Sequence, residues 1–246
     1  MTAPGTPPEG LPEIDGPGSL PEGRTLHDEL RRRIVGGEIP PGTVLFETTV
    51  GRSFGVSRTP VREAFARLID EGLLTRQGRG CSVTSRTPEE IIEIFEVRAA
   101  LERAAAELAA SRCSEFDLAA LEAMDERTNE LVRQLGGEPA GQEVTDEIQR
   151  LNRDWHHRLL RSTKHGFLIR ELEYVLDMQA TYDHQMPVRG HADLAGALND
   201  HEDILAALRA RDARAAAEAM TAHLAEVRVG RVRQYVANAE LDNPSP

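Results

Sequence analysis

His156, His201 and His223 are the residues whose types could do the most specific chemistry, and each falls on the apolar side of its own helical stretch. His156 goes with Ile148, Trp155 and Leu159. His201 goes with Leu194, Leu198, Leu205 and Leu208, and His223 with Ala216, Met220 and Val227. Asn152 precedes His156 by four residues, so both side chains project from one face. A single inward histidine is ordinarily a hydrogen-bonded core residue. Three on separate helices of a bundle, one with an i, i+4 polar partner, more often converge on a metal. Neutral imidazole suits Zn, Ni, Fe or Mn, and bundle cores are where such sites are built. His157, rotated about 100° from His156, faces elsewhere.

Arg98 is the second anomaly. Ile91, Ile94, Phe95, Leu101, Ala105 and Leu108 mark a buried helical stripe, and Arg98 lies within it. A buried guanidinium needs an anion, because desolvating it unpaired costs several kcal/mol. The partner is either an internal carboxylate such as Glu102 or the carboxylate of a ligand, which arginine can hold bidentately.

The third chemistry sits in "GVSRTPVREAF", Gly55–Phe65. Arg58 and Arg62 share one helical face, with Ser57 and Thr59 as short donors beside them. Ser57 is a good N-cap, and Pro60 fits the first turn, where its missing N–H has no helical partner. Val61, Phe65, Leu68 and Ile69 line the opposite face, and Gly72 ends the helix. One reading is an amphipathic helix with a solvated charged face. The other is a basic helix start aimed at a polyanion, with the positive end of the helix dipole favouring phosphate.

The elements that must position these residues form two blocks. Leu26, Leu30 and Ile34 recur at helical spacing up to Gly36-Gly37, "EIPPGTVL" turns into a short extended piece, and Glu47–Phe54 is a short helix ending at Gly55. After Gly72, "LLTRQGRGCSVTS" reads as two short strands around "QGRG". Two short helices followed by a strand pair make a winged helix-turn-helix, whose second helix enters the major groove by its N-terminus. Arg79 at the wing tip suits the minor groove or the backbone. From Arg24 to Arg86 there are 11 Arg/Lys against 7 Asp/Glu, a balance of +4, so the remainder carries −16 of the chain's −12. A basic block joined to an acidic one fits two domains, one facing a polyanion.

From Thr87 to about Asn238 the pattern is helical. Thr87 caps the first helix, with Pro88 at its first position and Glu90 completing a capping box. Further helices are expected at 115–135, 143–163, 166–184, 191–210 and 212–238, with "GGEPAG" as a break. The expected organisation is a disordered tail over 1–22, a winged helix over 23–86, an all-helical domain over 87–238 and a C-terminal tail over 239–246. Cys81 and Cys113, far apart and without CxxC spacing, fit a reducing cytosol. No apolar run nears the roughly 20 residues a membrane span needs, so the expected location is cytoplasmic.

The stretch "IVGGEIPPGTVLFE…VSRTPVREAFARLIDEGLLTRQGRGCSV" resembles the winged helix of the GntR family of bacterial transcription regulators. The resemblance implies that Thr48, Ser57, Arg58, Thr59, Arg62, Gly78 and Arg79 contact DNA; Thr48-Thr49 stand where many members have Arg or a Leu-Ala pair. "EVRAALERAAAELAA", "LNRDWHHRLL", "NDHEDILAALRARD" and "AAAEAMTAHL" are similar to the all-helical FCD effector domain of the FadR subfamily. The helical part, short and without an extra helix, resembles the VanR branch. In that family an Asp and three His bind a divalent metal beneath the effector. The matching positions here are Asn152, His156, His201 and His223, with a neutral amide where the family has a carboxylate. That leaves the site one charge more positive and favours an anionic effector completing the shell.

The expected protein is therefore mainly α, a winged helix-turn-helix followed by an antiparallel FCD-type bundle. The expected function is a homodimeric, ligand-responsive repressor of a palindromic operator. It senses a small carboxylate through Arg98 and a divalent metal. The different-class alternative is a metal-dependent hydrolase built on the histidines. It lacks an HExxH pair and an obvious general base, so no enzymatic activity is expected.

Overall fold

The computed structural model describes residues 20, 23–136, 140–185 and 201–242. Apart from Ala180–Gln185, the chain divides into two compact units at Arg86–Thr87.

In the first unit, α1 (Leu26–Val35) begins at Thr25, which forms a reciprocal capping box with Asp28. Leu26, Leu30 and Ile34 bury one face at the spacing of successive turns. The chain continues through β1 (Val44–Leu45), α2 (Glu47–Phe54), α3 (Arg58–Asp70), β2 (Leu74–Gln77) and β3 (Gly80–Val83). The three strands form an antiparallel sheet in the order β1-β3-β2. Gln77 pairs with Gly80, so Gly78 and Arg79 form the tip of the wing hairpin. A Cβ on Gly80 would lie 2.6 Å from the Leu45 carbonyl oxygen. Glycine there is what lets β1 close on the hairpin. Gly55 adopts φ 65° and stops α2, as its lack of a Cβ permits. Val50, Phe54, Val61, Phe65 and Leu68 hold α2 and α3 in one core with α1 and the sheet. The expected winged helix-turn-helix is the observed one.

One local expectation fails. Ser57 is the N-cap of α3, yet its side chain makes no capping hydrogen bond. The residue at the third helical position is Pro60, which has no N–H to offer, so the commonest partner of a capping hydroxyl is missing.

The second unit contains α4 (Pro88–Arg112), α5 (Glu115–Leu135), α6 (Gln142–Ser162), α7 (Gly166–Gln185) as far as Gln179, α8 (His201–Arg209) and α9 (Ala213–Asp242). Capping boxes start α4 at Thr87/Glu90 and α5 at Ser114/Asp117. Ala105, Ala106, Ala109 and Ala110 of α4 and Ala216 and Ala217 of α9 are buried. Their small side chains let the two long helices pack closely along one another. α4 also packs against α6 and α8, so one helix walls all three that carry His156, His201 and His223. On α4, Leu101 and Leu108 are only half-buried, and alanines take the places expected for them. The last helix runs to Asp242, so residues 239–242 are helical where a tail was expected. The expectations for 1–19, 21–22, 191–200 and 243–246 lie outside the described residues.

Candidate metal centre and nucleic-acid interface

His156 on α6, His201 at the start of α8 and His223 on α9 are 2%, 3% and 0% exposed. One nitrogen from each lies within 4.8 Å of the others. The Nε2 atoms of His156 and His223 are 3.4 Å apart. With metal–nitrogen bonds of about 2.0–2.1 Å, two corners of a tetrahedral shell stand roughly 3.4 Å apart. His157 is outside the group.

Two of the rings are fixed from behind. The His156 Nδ1–H donates to Glu102 Oε2 at 2.5 Å, which leaves the Nε2 lone pair for the centre of the cluster. Asp125 Oδ1 lies 3.3 Å from His201 Nδ1, and the Trp155 ring stacks on His201 at 3.8 Å and 2°. Burial pushes His156 down to about 4, and it drives His223 well below the ordinary histidine range with help from the neighbouring imidazoles. Both rings are therefore neutral near pH 7, the protonation state a metal ligand requires.

The donor set fits a divalent cation. Asn152 Oδ1, His201 Nε2 and His223 Nδ1 are buried without a hydrogen-bond partner among the described residues. An unsatisfied buried polar atom costs about 1–3 kcal/mol, so the open His201 Nε2, with Asn152 Oδ1 one turn before His156, points to something that completes them. His223 Nδ1 lies on the other side of its ring from the Nε2 that meets His156.

Arg98 is 3% exposed and already paired. Its Nε donates to Glu102 Oε1 at 2.5 Å and its Nη1 to Gln179 Oε1 at 2.6 Å. Of the two partners entertained for it, the internal carboxylate is the one present. Burial favours the neutral form of Glu102. Arg98 and His156 together outweigh it and hold the carboxyl far below its usual range. One carboxylate thus joins Arg98 to a histidine of the cluster. The i, i+4 spacing of Arg98 and Glu102 was legible in sequence. The link to His156, 54 residues on, and the Gln179 contact had no local signal.

The first unit presents a different surface. Thr48, Ser57, Arg58, Thr59, Arg62, Gly78 and Arg79 are all exposed. Ser57 to Arg62 form the N-terminal turn of α3, where backbone N–H groups lack helical partners and Ser57 satisfies none of them. Arg62 is not a bare cation. Its Nε donates to Glu47 Oε1 at 3.1 Å and Oε2 at 2.9 Å, a partner the sequence did not flag.

Two family descriptions match the chain: "Bacterial regulatory proteins, gntR family" over residues 23–83 and "FCD domain" over residues 93–226. The uncharacterized HTH-type transcriptional regulator YdhC of Bacillus subtilis (strain 168) is 32% identical over 199 residues, 80% of this chain and 85% of that protein. The HTH-type transcriptional repressor RspR of Escherichia coli (strain K12) is 31% identical over 213 residues, 84% of this chain and 87% of that protein. The crystal structure of a putative transcriptional regulator GntR from Rhodococcus sp. RHA1 shares the fold. It superposes with a TM-score of 0.68 at 22% identity, covering 83% of this chain and 94% of that one.

Proposed function

The chain belongs to the GntR family of bacterial transcription regulators and carries an FCD domain, and on that premise we propose that it represses a palindromic operator as a homodimer and responds to a small carboxylate. The family and its relatives indicate a transcription factor rather than the hydrolase entertained from sequence. Among the described residues no helix is long and apolar enough to cross a membrane.

The observation that carries the sensing half is the convergence of three buried imidazoles beside the Arg98–Glu102 pair. His156, His201 and His223 would hold a divalent ion, with Asn152 as a fourth, neutral donor. Bound there, the ion supplies positive charge that an anion can neutralise. Gln179 occupies Arg98 with a neutral amide oxygen. A ligand carboxylate exchanging for it would gain a charge-assisted hydrogen bond and leave Glu102 in place. Such a ligand changes DNA affinity only by favouring one dimer geometry over another, with typical couplings of about 1–3 kcal/mol. The repressing direction follows the name of the RspR relative. On the DNA side, exposed α3 residues would supply phosphate and base contacts, with Gly78 and Arg79 of the wing and Thr48 of α2 at the periphery.

A thermal-shift screen of small carboxylates, run with and without chelator, tests this reading. The expected result is a ligand that raises the melting temperature only in the metal-loaded protein and weakens operator binding in a gel shift. Elemental analysis should find about one divalent ion per chain, and none in His201→Ala. Equal metal in both proteins would reject the centre.

A further inference from the structure

We infer that Glu47 is a positioning residue for sequence readout: it tethers one edge of Arg62 so that the arginine's terminal amino groups are presented to bases rather than to phosphates. The inference rests on the reading that the start of α3 enters DNA. Glu47 opens α2 and Arg62 lies one turn into α3, so the contact spans the two helices of the motif. Both Glu47 oxygens accept from the Nε of Arg62, at 3.1 and 2.9 Å. The Arg62 side chain is nevertheless 66% exposed, against 31% for Glu47.

An ion pair that open to water contributes little to stability, so folding gives weak reason for it. Its geometric effect is larger. A guanidinium has five N–H donors in a rigid plane, and the bidentate contact to guanine O6 and N7 uses two of them. With Nε held by Glu47, the two terminal nitrogens remain as the pair that can make that contact. An untethered arginine swings over several rotamers and meets phosphates, which carry no direct sequence information. The carboxylate also offsets the arginine's charge, lowering its pull toward the backbone while leaving directional hydrogen bonds intact. Arg58, one turn earlier, has no ion pair among the described residues. The two arginines of the motif are therefore not equivalent.

The test uses the full chain and a random-sequence duplex pool, from which wild-type protein selects its preferred site. Affinities for the selected duplex and for a scrambled one are then measured for wild type, Glu47→Gln, Arg62→Ala and the double variant. Glu47→Gln should bind the scrambled duplex at least as tightly as wild type. Its preference for the selected duplex should fall about five- to tenfold, on the scale of one bidentate base contact. With Arg62 already removed, Glu47→Gln should alter that preference by less than about twofold. An unchanged thermal melt would confirm that the variant is folded. Unchanged preference, an equal gain on both duplexes, or a full effect persisting without Arg62 would each overturn the inference while leaving DNA binding intact. A wild-type chain that selects no sequence would defeat the DNA reading and this inference together.

Discussion

The tip of α3 and the histidine cluster treat charge in opposite ways. At the tip, Ser57, Arg58, Thr59 and Arg62 stand in solvent, and one carboxylate restrains one of the two arginines. In the cluster, Arg98, Glu102 and His156 are each no more than 3% exposed, and Glu102 spends one oxygen on each neighbour. Solvent offsets unmatched charge at the first site, whereas the charged side chains of the second are buried away from it. A surface built to meet a polyanion can leave its donors waiting. A buried site must close its internal charges before any ligand arrives, and here Asn152 Oδ1 and His201 Nε2 are left without a partner among the described residues.

The comparison breaks most visibly at Arg98. Removing it leaves Glu102 buried beside a neutral imidazole, so Arg98→Ala should destabilise the helical unit by about 3–5 kcal/mol. Arg58→Ala should shift stability by no more than about 0.5 kcal/mol. Urea denaturation of both variants checks the contrast, and similar losses would mean that the buried network is not closed as described. This also makes Arg98→Ala a poor probe of effector response alone, since it disturbs the fold that positions His156.

DNA binding should show the reverse. Arg62→Ala should weaken operator binding by about 1–3 kcal/mol in a gel-shift titration and leave the melting temperature nearly unchanged.

Acid separates the units next. The folded His156 titrates at about 4 against an ordinary 6.5, with His223 also depressed, so the unfolded chain binds more protons between those values. The stabilisation from keeping these rings neutral is complete above about pH 6.5 and is lost as pH falls toward 4. Chelator-treated protein should therefore show a melting temperature that declines over this window. A flat profile would mean that the rings are not held neutral by burial.

The smallest effect sharpens the account of the tip. Thr87 completes a capping box and Ser57 caps nothing. Thr87→Ala should cost about 0.5–2 kcal/mol, and Ser57→Ala less than about 0.5 kcal/mol. Calorimetry of the pair decides it.

Much of this was legible because it is local. The i, i+4 spacing of Arg58 and Arg62, the glycine stop at Gly55 and the box at Thr87/Glu90 need only neighbouring residues to be read. The inward placement of His156, His201 and His223 could also be read, since each shares a period with its own apolar stripe. Ser57 misled because the side chain satisfied the rule for a cap while Pro60, three residues on, removed the donor.

The amino-acid order by itself determined which residues are helical, which faces are apolar and therefore which polar groups would be driven inward. Only the tertiary structure decided that Glu102 stands between Arg98 and His156, that Gln179 closes Arg98, that Trp155 stacks on His201 and that Glu47 reaches Arg62. Periodicity dictates a direction from each helix axis. The identity of the group met in that direction depends on how separate helices pack, and residues 54 or 81 positions apart share no local geometry that could announce it.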